Sequence, residues 1–251
     1  LITPTMSFRI NPGQMKNLTS KGVSVDNIFS IHRLGLSESY EKGKSITLGL
    51  DYKKSHKNKK IVNDKEIERY FEIKLGGVLR DVEEDKITAS TTLNRKASNL
   101  FGSITNKMSE KVQIDYDFAI DNDLTTFENN QVNLKFSVNN LISEFVFSET
   151  NGEMGNENSM SNKTLVKFDD NNYFTFGTRR NRKISLTEYY DLVYEYKIDC
   201  LTAGVKYRKT YYSDRDAKPT EDLLLTLTLF PLITLEQNVE QEFYRENDLF
   251  N

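Results

Sequence analysis

The stretch Asp191–Leu232, DLVYEYKIDCLTAGVKYRKTYYSDRDAKPTEDLLLTLTLFPL, decides the fold of this chain. Two runs of alternating apolar and polar residues flank a tight reversal that holds the only cysteine, Cys200. A charged loop follows, then a third alternating run that ends at Pro231. Period-two alternation in segments of about ten residues is the pattern of strands with one face in lipid and the other in water. If Asp199 and Cys200 are the turn residues, Ile198 faces Leu201, Tyr196 faces Ala203, Tyr194 faces Val205 and Leu192 faces Tyr207. All eight then lie on one side. Lys197 with Thr202, Glu195 with Gly204 and Val193 with Lys206 occupy the other. A slip of one residue would put charges among the apolar set, so pattern fixes the register. Asp-Cys is itself a weaker turn signal than Asp-Gly.

The two ends of this hairpin differ. One is a minimal turn. At the other, Tyr189 and Tyr190 meet Tyr211 and Tyr212 at one level, ahead of the long charged loop Ser213–Glu221. Outer-membrane barrels have short periplasmic turns, longer outer loops and aromatic girdles. On that rule Cys200 is periplasmic, Ser213–Glu221 lies outside, and the strand Asp222–Phe230 returns inward. A soluble β-sandwich could share the pattern, with the same eight residues facing a second sheet. Strand length favours the barrel, because a tilted membrane strand takes about 9–11 residues and an ordinary strand about 5–6.

Alternation recurs along the 251 residues. Ile46, Leu48, Leu50 and Tyr52 line one face of a run, as do Phe71, Ile73 and Leu75. Val112, Ile114, Tyr116, Phe118 and Ile120 form a third set, and Val132, Leu134, Phe136 and Val138 a fourth. Phe174 and Phe176 mark a weaker one. The polar segments 55–60 and 149–163 read as connections. Roughly a dozen strands with turn signals between them predict an all-β architecture. Asn63–Tyr70 reads as a helical turn or two, or as a loop entering a strand. No run approaches the roughly 18 apolar residues of a membrane helix. Mean hydropathy is −0.60 and 37% of residues are hydrophobic, which is low for an enzyme with a thick core. The net charge of −3 gives no argument for nucleic acid. The opening Leu1-Ile2-Thr3-Pro4 runs straight into an alternating strand, as expected of a fragment of a longer protein. Residues 1–231 are expected to form the C-terminal part of a barrel, and the acidic residues 232–251 a periplasmic tail.

Catalytic and metal motifs are not evident. His32 and His56 lack neighbouring ligands, no serine sits in a nucleophile elbow, and Asp214, Asp216, Glu221 and Asp222 lack calcium-loop spacing. No cofactor is expected.

The string Tyr194–Leu232 resembles the C-terminal barrel strands of the lipopolysaccharide-assembly protein LptD family, in its alphaproteobacterial form. LITPTMSFRINP at the start and DNIFSIHRLGLSESYEKGKSITLGLDYKK (Asp26–Lys54) resemble the middle of the same barrel domain. The resemblance implies a large antiparallel transmembrane β-barrel of the bacterial cell outer membrane. It implies an LptE-type plug lipoprotein, and an LptA-type periplasmic bridge delivering lipopolysaccharide through an N-terminal jellyroll. Cargo would leave sideways between the first and last strands. Asp222–Phe230 would then be one lip of that gate, with Leu223, Leu225, Leu227, Leu229 and Pro231 as its residues. Cys200 matches the family's C-terminal cysteine, which implies a disulfide to the missing N-terminal domain; many relatives carry two adjacent cysteines here and this chain has one. Glu195, Lys197, Lys206 and Arg208 are expected to face the lumen, where they meet cargo phosphates or the plug, or pair with lumenal carboxylates. The alternatives are a porin-like channel and a soluble β-sandwich binding module.

Overall fold

Alternating side chains along successive runs produce one continuous sheet. A computed structural model describes residues 1–15, 22–34, 40–55, 60–62, 65–67, 69–212, 218–229 and 233–235. The strands are β1 (Ile2–Asn11), β2 (Gly43–Ser55), β3 (Lys60–Val62), β4 (Lys65–Ile67), β5 (Tyr70–Arg80), β6 (Leu100–Ser109), β7 (Val112–Ile120) and β8 (Phe127–Val138). They continue as β9 (Leu141–Thr150), β10 (Glu157–Lys167), β11 (Asn172–Asn181), β12 (Leu186–Ile198), β13 (Leu201–Thr210), β14 (Thr220–Leu229) and β15 (Ile233–Leu235). Thirteen of them form a single sheet in the order β1-β2-β5-β6 and onward to β15, while β3 and β4 make a separate small hairpin. Every pairing is antiparallel between neighbours in that order. Helix among the described residues is limited to two three-residue 3-10 turns, Ala89–Thr91 and Gly152–Met154.

The expected hairpin register is the observed one. Ile198 pairs with Leu201, Tyr196 with Ala203, Tyr194 with Val205 and Leu192 with Tyr207, around the turn Asp199-Cys200. Paired residues share a face, so the two faces can be followed across the sheet. One face carries Met6, Leu48, Tyr194 and Leu225, all exposed, with Met6 and Leu225 each 74% accessible. The sandwich reading required these residues to point into a closed interior. They do not. An apolar surface of this extent, interrupted around β10 by Ser143, Asn162, Thr164 and Arg180, marks a membrane or interaction face, and with strands mostly of 10 to 13 residues it defines the wall of an antiparallel transmembrane β-barrel. Among the described residues no pairing joins β1 to β14 or β15, so the described sheet is open.

The opposite face is polar, and part of it is covered by the chain itself. The described parts of the connection 12–42 (12–15, 22–34 and 40–42) and residues 81–99 fold against it. Met15, Val23, Val25, Ile28 and Leu34 from the first, and Ile87 and Leu93 from the second, pack on Val78 of β5, Phe101 of β6 and Ala119 of β7. Glycine permits the close approach at β2: a Cβ on Gly49 would lie 2.6 Å from the Phe29 ring and 3.2 Å from the Leu75 carbonyl oxygen.

Three expectations are revised. Residues 149–163 read as a connection, yet Glu157–Lys167 is β10, paired along both edges. Its polar residues on the exposed face satisfy one another: Ser143 Oγ and Thr164 Oγ1 are 2.7 Å apart, and Asn162 Nδ2 donates to Ser143 Oγ at 3.0 Å. Of the segment 63–70, Lys65–Ile67 is the second strand of the small hairpin and Tyr70 opens β5. Within the segment expected as a tail, Ile233–Leu235 continues the sheet by pairing with Leu227–Leu229. Residues 230–232 and 236–251 lie outside the described residues.

Candidate functional site: the inner face and the sheet edge

Strand direction separates two ends of the wall. At one end the strands are joined by two-residue turns at 110–111, 139–140 and 199–200, by a four-residue turn at 168–171, and by the longer 56–69 connection that carries β3 and β4. At the other end lie the long connections 12–42 and 81–99 together with 121–126, 151–156, 182–185 and 211–219. Cys200 is exposed, unbridged, and at the short-turn end.

Glu195, Lys197, Lys206 and Arg208 all lie on the polar face. The rows Glu195–Gly204–Thr226, Lys197–Thr202–Thr228 and Val193–Lys206–Leu224 cross β12, β13 and β14 on that side. Arg208 is held by Asp191 in a two-point ion pair, with Nε donating to Oδ1 at 2.6 Å and Nη2 to Oδ2 at 2.7 Å. The Asp191 side chain is 1% accessible, so this pair fixes the strands more than it presents a charge. The Arg208 guanidinium also stands 5.2 Å from the centre of the Tyr189 ring. That ring is therefore on the inner face, whereas Tyr190 packs edge-on against Tyr211 on the outer one, 6.1 Å between centres. The four expected tyrosines share a level but not a face.

The candidate gate strand β14 pairs with β13 from Thr220 to Leu229. Leu223, Leu225, Leu227 and Leu229 all point to the exposed apolar face. On its other edge β14 meets only Ile233–Leu235, leaving Thr220–Thr226 without a described ladder partner. Pro231 and the loop residues 213–217 lie outside the described residues.

A cluster that sequence reading missed fastens the inward-folded connection to the wall. Glu41 accepts hydrogen bonds from three arginines: Arg33 Nε to Oε1 and Nη2 to Oε2, Arg9 Nη1 to Oε1 at 2.9 Å, and Arg80 Nη1 to Oε2 at 2.8 Å. Arg33 also donates to Thr47 Oγ1 at 2.9 Å, and Arg9 to the Ser30 carbonyl at 2.8 Å. β1, β2 and β5 are thereby tied to Ser30, Arg33 and Glu41. Burial by itself would raise the Glu41 pKa, but the hydrogen bonds and charge of Arg33, with Arg9 and Arg80, outweigh it and hold the carboxyl below its ordinary range. Nothing local in the sequence announced this. The four residues are scattered over some seventy positions, and the one local signal is the mix of apolar Val23, Val25, Ile28, Phe29 and Leu34 with polar neighbours in a connection.

His32 lies 5.5 Å from the Tyr40 ring, and His56 is outside the described residues. No group of three or more potential metal-binding side chains occurs among the described residues.

An antiparallel wall with an apolar exterior, a polar interior and unequal ends belongs to the class of transmembrane β-barrels. No protein-family model matches the chain, and no curated protein matches it. Among solved structures it is similar to a double mutant of Rh. blastica porin, at 10% identity and a TM-score of 0.39 over 75% of this chain and 81% of that one. It is also similar to a triple mutant of Rhodopseudomonas blastica porin, at 9% identity and a TM-score of 0.35 over 79% of this chain and 91% of that one. A likeness at this level decides nothing, and the fold stands on register and burial.

Proposed function

We propose that this chain is part of an outer-membrane β-barrel through which lipopolysaccharide reaches the outer leaflet, leaving by a seam at the β14 edge. The observation that carries the reading is β14 itself: leucines on the apolar face and, among the described residues, a ladder of three residues along its second edge. Unpaired backbone groups are costly in lipid, so a briefly paired edge is where a wall separates most easily. The resemblance of Tyr194–Leu232 to the LptD family points the same way. On this reading Cys200 forms the bridge to an N-terminal periplasmic domain, and an LptA-type bridge supplies the cargo. An LptE-type lipoprotein occupies the inner face of the later strands, since among the described residues the chain's own buried cluster draws on β5, β6 and β7 and on no later strand.

A second reading, a porin-like channel, is favoured by the mixed charge of the inner face, where Arg208 pairs with Asp191 and Lys135 with Glu144. One pair of experiments separates the two. Depleting the protein should lower surface lipopolysaccharide, and locking β14 to its neighbouring edge with an engineered disulfide should do the same. Unchanged surface lipopolysaccharide together with a steady ionic conductance in planar bilayers would instead establish the channel.

A further inference from the structure

The apolar exterior is not uniformly convex. A groove of about 440 Å³ opens on it between β2, β5 and the start of β6, lined by Leu48, Leu50, Leu75, Leu79, Leu100 and Leu124. Its volume falls in the range of ligand sites, roughly 300–1,000 Å³. The groove exists because Gly77 faces Leu48 across the ladder without a side chain. A Cβ there would meet nothing nearer than the Asn99 carbonyl oxygen at 3.8 Å, so neither crowding nor backbone conformation demands the glycine.

A second observation bears on the same groove. Leu124 stands at its rim, 64% exposed, with φ of +59°, a conformation that leucine rarely adopts. The turn that holds it is built around Asp121, which accepts from the Thr125 amide at 2.7 Å and the Thr125 hydroxyl at 2.8 Å, while the Leu124 amide donates to the Asp121 carbonyl at 3.0 Å. A leucine at positive φ carries strain that its small burial within the chain offsets little, and an apolar ligand beneath it would supply the missing contact. Asn122 sits beside it as a polar group at the same rim.

We propose that this groove is a binding site for one acyl chain of a membrane lipid. The chain lies along Leu48, Leu50 and Leu75, Leu124 closes over it, and the head group lies at the Asn122 end. The occupant is lipid because the groove is continuous with the apolar belt that meets the bilayer, so the inference rests on the membrane-barrel reading. It requires neither lipopolysaccharide export nor conductance.

The test is native mass spectrometry of the full protein after reconstitution in dimyristoyl-phosphatidylglycerol vesicles and extraction into detergent. Wild-type protein should retain one phospholipid. Gly77→Leu fills the groove and should cut retention at least tenfold. Leu124→Gly should also lower retention while leaving thermal stability equal or higher, because glycine adopts the positive φ freely. That opposite movement of lipid retention and stability is what a purely structural leucine would not give. If Gly77→Leu fails to fold, Leu124→Gly decides alone. Retention equal to wild type in the folded variants overturns the site and leaves the export and channel readings untouched. Failure of wild-type protein to insert into the vesicles overturns the barrel and the groove together.

Discussion

Glu41 balances three guanidinium groups in a place where its own side chain is 1% accessible. Removing one member of such a buried set leaves charges uncompensated, which costs about 3–5 kcal/mol. Glu41→Gln should therefore lower the denaturant midpoint of the reconstituted protein and expose residues 22–34 to protease. The pH dependence has a definite sign. A carboxylate whose folded pKa lies below its unfolded one stabilises the fold fully above the unfolded value, and that contribution is lost as pH falls through the folded value. Protection of residues 22–34 should accordingly hold at neutral pH and fail only below the ordinary carboxylate range; in Glu41→Gln that acid-dependent step should vanish. At Gly49, alanine would drive a Cβ into the Phe29 ring. The cost is about 1–3 kcal/mol by overpacking, readable as a lower thermal midpoint. Cys200 is read out directly: on the proposed function, non-reducing electrophoresis of the full protein shows a mobility shift that Cys200→Ser abolishes, and an identical pattern for both proteins contradicts the bridge.

Among the elements, β14 offers the sharpest contrast between faces. Leu225→Arg puts a charge on the apolar exterior and should destabilise the barrel by roughly 2–4 kcal/mol if it sits near the bilayer midplane. Thr226→Arg, one residue on, turns to the polar side and should be tolerated; urea unfolding from vesicles distinguishes the two. The same alternation explains what could be read in advance. Register of the β12–β13 hairpin was legible because eight apolar residues sort to one face only when Ile198 meets Leu201. β10 was not legible, since Asn158, Ser159, Ser161 and Asn162 look like loop residues and become strand only when neighbours on both sides satisfy them. The Arg9–Arg33–Glu41–Arg80 cluster was invisible for a related reason. Its members come from two strands and a connection, and no local period links them. Sequence pattern reports the wall well and the inward-folded connections poorly, because the wall is repetitive and the connections depend on unique tertiary contacts.

At the scale of the molecule, thirteen strands form an open sheet with one mainly apolar face, the other face being partly covered by the chain itself. The covered part runs from β1, through Arg9, to the start of β8, where Asn99 donates to Glu128, and it carries the salt-bridged connections. The later strands, β9 to β14, present a polar face that includes Glu195, Lys197 and Lys206. Division of the interior in this way leaves one side for the chain's own packing and the other for a plug or a cargo. All of it depends on lipid lying outside and water inside. The direct measurement is an accessibility scan of β12 and β13 in vesicles, using single cysteines in a Cys200→Ser background. Tyr194, Tyr196 and Val205 variants should report to a lipid-phase quencher and resist a water-soluble thiol reagent, and Glu195, Lys197 and Lys206 variants should do the reverse. Uniform reaction of all six with the water-soluble reagent would contradict the barrel.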